Sequence, residues 1–263
     1  MGLLLKEGID IDLVKTALIA FISIAFLILL INYFPLIKRK LPNYTLQLAG
    51  LIGNTSFLGI PIAIAILPSS TINFTIGFDL GTTLFAWIFG PFLLQDKTKS
   101  NNTLNYLELT KAILKSPASR GIIGVLIVYL FKLENDLGDY LWVPARIVIF
   151  LAIIVVGTRL GIITNNKTRF FNLNNGMKYS IMLKLFIFPL IIFFVCRILN
   201  FNLNETSAVI LQAGTPSAVS TILMAEAYRI NQKIAATVLF ITTLISIITI
   251  PILAFLLNIS NMN

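Results

Sequence analysis

Gly53-Asn54-Thr55-Ser56-Phe57-Leu58-Gly59-Ile60-Pro61 sets two glycines, a proline, an amide and two hydroxyls inside an otherwise apolar stretch, residues 46 to 67. A second interruption of the same kind, Gln212-Ala213-Gly214-Thr215-Pro216-Ser217, falls inside the apolar stretch 206 to 225. In hydrocarbon, such backbone is tolerated only where protein or an aqueous cavity satisfies the freed peptide groups. The pair therefore predicts two interrupted helices sharing a hollow halfway across a bilayer, where half-helix N-termini offer N–H donors and a positive dipole end to an anion. Simple kinks, as expected at Pro189 and Pro251, are the plainer alternative, because proline is ordinary in membrane helices. Two matching interruptions that each combine small, polar and proline residues favour the hollow.

Composition agrees with a membrane location. The 263 residues are 57% hydrophobic and 12% charged, with a mean hydropathy of +0.91, whereas a soluble domain carries about 25% charged residues. Apolar length predicts spans at 16–37, 46–67, 72–95, 206–225 and 234–257, and three less uniform ones at 112–131, 140–163 and 179–199, each long enough to cross about 30 Å of hydrocarbon. Lys115, Arg120, Arg146, Arg159, Lys184 and Arg197 interrupt or flank the last three and are expected to snorkel outward near helix ends. Trp87 and Trp142 are expected near the interfaces or against lipid. Asp10, Asp12 and Glu7 argue against a cleaved signal peptide.

The net charge of +9 resides in short clusters between spans and lacks the interleaved aromatics of a nucleic-acid surface, so no nucleic-acid partner is expected. Lys38-Arg39-Lys40, the cluster from Lys97 to Arg120, that from Arg159 to Lys178, and Arg229 with Lys233 mark alternate loops, and acidic residues mark the others. The positive-inside rule then places both termini outside the cell membrane. With no histidine, triad and metallohydrolase chemistry lose their usual base and ligand, so neither an enzyme nor a cofactor or metal is expected. Cys196 is alone and is read as packing.

Pro61 and Pro216 lie about 155 residues apart, close to one five-helix unit, which points to inverted repeats. Three spans precede Pro216 within its unit and one precedes Pro61, so about two helices are expected to be missing from the first half. The expected division is residues 1–95 as an incomplete three-helix repeat, 96–111 as a cytoplasmic linker, and 112–263 as a five-helix repeat.

Asn54-Thr55 followed by Gly59-Ile60-Pro61 resembles the first crossover helix of the auxin efflux carrier family. The run from Pro216 to Pro251, with Ala225-Glu226-Ala227-Tyr228, resembles its second crossover and last helix; Lys184 with Pro189, and Lys115-Ser116-Pro117, are similar to its C-terminal half. The resemblance covers residues 12 to 257. It implies an all-α membrane protein, an inverted-repeat transporter with two crossed discontinuous helices, here three plus five spans of a five-plus-five plan. It also implies export or exchange of small organic anions by alternating access. The short segment 95–112 lacks the long cytosolic loop of plant members and suggests a prokaryotic type.

Resemblance and position together nominate Asn54, Thr55 and Ser56 for substrate contact, Gly59 and Pro61 for shaping the break, and Gln212, Gly214, Thr215, Pro216 and Ser217 as the partner segment. The alternative is that these groups only bond between helices, at about 0.6 kcal/mol each on average. Asp79 is the sole charge between residues 46 and 95; it is read equally as a site for a coupling proton or sodium ion and as an ion-pair partner of Lys184 or Arg146. Glu226, beside Tyr228 and Arg229, is expected in an interfacial ion pair. The expected partners are a small organic anion, the lipid bilayer and, as an option, a second copy in a homodimer. A sodium- or proton-coupled transporter of related fold and an inactive truncated remnant are the competing readings.

Overall fold

The computed structural model describes residues 5, 8–94, 117–133, scattered positions from 137 to 161, and 173–257. The expected linker 96–111, most of the expected span 140–163, Lys115, Arg146, Arg159 and Trp142 lie outside the described residues. The remainder is nearly all helix.

Helix α1 (Ile11–Tyr33) starts where the Asp10 carboxylate accepts the Leu13 N–H at 2.8 Å, and it stops at Phe34, ahead of Pro35. Pro35 opens the short α2 (Pro35–Lys40), whose last turn carries Lys38, Arg39 and Lys40, a favourable end for cations. Asn43 caps α3 (Tyr44–Leu51). A π-helical turn, Thr55–Gly59, then leads into α4 (Ile60–Ile66), and α5 (Ile72–Leu94) returns. Next is α6 (Pro117–Leu130). Helix α7 (Asn175–Met182), a second π-turn (Leu183–Ile187) and α8 (Phe188–Ile198) form one continuous rod. A capping box of Asn202 and Glu205 starts α9 (Leu203–Ala213), followed by α10 (Val219–Ala227) and α11 (Gln232–Leu256).

Both π-turns have the same cause. Pro61 and Pro189 each stand second in the helix that follows. Each lacks the N–H that would bond one turn back, and the ladder widens there, with Ile60 bonding Thr55 and Phe188 bonding Leu183.

Among the described residues four helical rods are long and apolar enough to cross a membrane: Ile11–Tyr33, Ser69–Leu94, Asn175–Ile198 and Gln232–Leu256. At about 1.5 Å per residue these exceed the hydrocarbon thickness. Their outer faces are apolar and exposed, as with Leu29 on α1, Phe186 and Phe194 along the α7–α8 rod, and Ile247 and Phe255 on α11. Such surfaces suit lipid and not water. The inner faces join one core running from Ile24 and Leu48 through Phe78 and Phe188 to Leu211 and Val238.

Helix α1 lies along α5, and two glycines four residues apart permit the close approach. A Cβ on Gly77 would overlap Thr16 Oγ1 and the Leu13 carbonyl, and one on Gly81 would overlap the Ala17 carbonyl. Gly81→Val is therefore expected to destabilise the fold by about 1–3 kcal/mol. A lower melting temperature in detergent checks this, and an unchanged one would mean that the helices can separate at no cost.

Candidate functional site

Helix α3 ends at Leu51, Ile52 turns extended with ψ 117°, and helix resumes at Thr55. Helix α9 ends at Ala213 and helix resumes at Val219. The two gaps lie against each other. Asn54 N–H donates to the Pro216 carbonyl at 2.7 Å and Ala218 N–H donates to the Ile52 carbonyl at 3.0 Å, an antiparallel pairing of Gly53 with Ser217. Peptide groups freed by one gap thus satisfy those freed by the other, which removes the main penalty for broken helix in a dry interior. Side chains complete the joint. Ser217 N–H donates to Thr242 Oγ1 of α11 at 3.1 Å, Ser217 Oγ donates to the Ala49 carbonyl, and Thr215 Oγ1 donates to the Gln212 carbonyl at 2.8 Å.

Beside the joint is a cavity of about 250 Å³, walled by residues 52–57, by Thr82, Thr83, Ala86 and Trp87 of α5, and by residues 218–220 with Leu223 at the start of α10. Both resumed helices begin at this wall, and neither has a side-chain cap. Their first N–H groups have no carbonyl to meet inside their own helix. Asn54 Nδ2 and Thr82 Oγ1, on buried side chains of the same wall, have no protein hydrogen-bond partner. The cavity thus combines two helix N-termini with unspent polar groups, an environment suited to negative charge.

Three of the residues expected to touch substrate, Asn54, Thr55 and Ser56, lie in this wall. Pro216 and Ser217 lie in the joint itself, and Gly214 ends α9. Gly59 and Pro61 sit beyond the gap, within the π-turn and α4; the gap is made by residues 52–54. Gly59 serves clearance, since a Cβ there would overlap Gln212 Oε1. Gln212 is fully buried, and its side-chain oxygen and nitrogen have no partner. Thr215 is packed on Gly53.

Asp79 points at the first gap: Thr55 Oγ1 and Ser56 Oγ donate to its Oδ1 at 2.6 and 2.5 Å. Among the described residues it forms no ion pair with Lys184. Lys184 does not snorkel outward. The π-turn aims it inward, where it is fully buried at the joint, because the Ala213 carbonyl needs a donor there. Trp87 lines the cavity. Arg197 and Glu226 are exposed at helix ends, as read. Thr82, Thr83, Trp87 and Ser220 were missed; the first three follow Asp79 at spacings of three, four and eight, one face of α5, and that spacing was the signal available.

Apolar outer faces, paired interruptions and a polar cavity at their meeting define a multi-pass membrane transport protein. Residues 146–254 match the model of the family described as membrane transport protein, a stretch that takes in the second interruption and the last helix. An uncharacterized transporter of Methanocaldococcus jannaschii is 25% identical over 243 residues, which cover 90% of this chain and 75% of that protein. The resemblance to a transporter family read from the interrupted helices is borne out by this match and this relative.

Proposed function

We propose that the chain is a permease that carries small organic anions across the cell membrane by alternating access, in the direction of export. The observation that carries this reading is the cavity at the joint, where two uncapped helix N-termini meet the unpartnered Asn54 amide and Thr82 hydroxyl. A carboxylate would take its hydrogen bonds from these groups, which are stronger donors toward a charged acceptor than toward a neutral one. The Thr55 and Ser56 hydroxyl protons are already given to Asp79, so these two residues serve the anion through backbone N–H. Gly59, Pro61, Gln212, Gly214, Thr215, Pro216 and Ser217 then act as the frame that keeps the joint closed.

In the same reading α1 to α5 and α6 to α11 are the two halves of an inverted repeat with crossed discontinuous helices, 1–95 and 112–263, both termini lie outside, and a homodimer is open. The antiparallel pairing of Gly53 with Ser217 supports it, since inversion makes corresponding breaks run in opposite senses.

A second reading is favoured by Asp79, a carboxylate presented to the cavity wall through Thr55 and Ser56: it binds a coupling proton. Proteoliposome counterflow with labelled monocarboxylates and dicarboxylates tests both. Flux of at least one anion above empty liposomes is expected, and none for any would remove the permease assignment. Flux whose pH dependence persists in Asp79→Asn would remove this residue from coupling.

A further inference from the structure

Lys184 has no part in the anion cavity, yet it is fully buried in the joint. Its Nζ donates to the Ala213 carbonyl at 2.5 Å, the last residue of α9. It stands near Gly53, just past the end of α3, where an added Cβ would be 3.1 Å from Nζ. The Phe188 ring lies under it, 5.0 Å from Nζ to the centroid. Among the described residues no ion pair reaches it. The C-terminus of α9, with its negative dipole end, therefore meets the ammonium directly, and the segment that follows α3 packs beside it. In carriers with discontinuous helices this is where unwound carbonyls and half-helix C-termini hold a free sodium ion or proton. We propose that the Lys184 ammonium is a tethered cation that fills this position, closing the joint from the C-terminal side, so that the carrier needs no free sodium there. The proposal rests on the broken-helix reading above and adds what occupies the cationic side of the joint.

Thermal unfolding in detergent tests it without any substrate, so its failure is separable from failure of the anion reading. The native chain is expected to melt at the same temperature in sodium, potassium or choline chloride at fixed ionic strength. A sodium-specific rise would overturn the proposal. Lys184→Ala, which leaves room for the lost atoms, is expected to melt lower and to be restored by propylammonium but not by tetramethylammonium. Lys184→Met fills the space without charge and is expected to stay low in every salt. Native-like melting of Lys184→Met would show that packing alone is needed and would equally overturn it. If Lys184→Ala does not fold, growth of the expressing cells with propylammonium is expected to recover folded protein, and no recovery counts against the proposal.

Discussion

Gly53→Val is expected to abolish transport and to lower the yield of folded protein. A Cβ at this position would overlap Thr215 Oγ1 and press on Lys184 Nζ and Cε. These neighbours cannot yield, because the Thr215 hydroxyl is bonded to Gln212 and the lysine to Ala213. Overpacking of a filled site costs about 1–3 kcal/mol, and here the strain falls on the two backbone hydrogen bonds that pair the gaps. If Asn54 N–H and Ala218 N–H lose their carbonyls, each buried donor adds about 1–3 kcal/mol more. Size-exclusion profiles and counterflow on the same preparation check both parts. A Gly53→Val chain that is monodisperse and fully active would show that the close approach of the gaps is incidental.

Asn54→Ala is expected to behave in the opposite manner, with transport lost and the fold kept. Nδ2 is buried and donates to nothing in the protein, so its removal takes away no internal bond. Deleting an unpaired buried polar group is neutral or stabilising. Toward an anion it is a donor to a charged acceptor, a bond contributing about 1.5–3 kcal/mol, so affinity should fall by about tenfold to a hundredfold. Isothermal titration or scintillation proximity binding gives the affinity, and a melting curve gives the stability. An unchanged affinity would place the anion elsewhere.

Legibility in the sequence followed physical scale. Rods such as α1, α5 and α11 were visible because lipid imposes a long uncharged run, and their bounds fall within a few residues of those expected. The positions of the interruptions were visible because glycine, proline and amides are costly in that medium. The first interruption was read across Gly53 to Pro61 with Gly59 and Pro61 shaping it, and the chain opens at the N-terminal edge of that stretch, residues 52–54. A proline early in a helix widens the turn before it and does not break the chain, whereas residues 52–54 unwind because the Pro216 carbonyl accepts from Asn54 N–H and Ala218 N–H donates to the Ile52 carbonyl. That information lies far along the chain. Lys184 was misplaced for a related reason: from sequence a lysine in a weak span is a charge reaching for water, and only the arrival of Ala213 gives it a buried acceptor. Ser220 carries no distinctive signal, since hydroxyls in membrane helices most often bond their own backbone, as Thr16 and Thr242 do here.

The mutual pairing of residues 52–54 with 216–218 also orders the birth of the molecule. When the ribosome has delivered α3 and α4, the carbonyl of Ile52 and the amide of Asn54 have no complement, and bare peptide groups are not stable in hydrocarbon. The first hairpin must then wait, sheltered by the insertion machinery or by water drawn into the bilayer, until the distant tail emerges. Assembly of this carrier cannot run strictly from beginning to end.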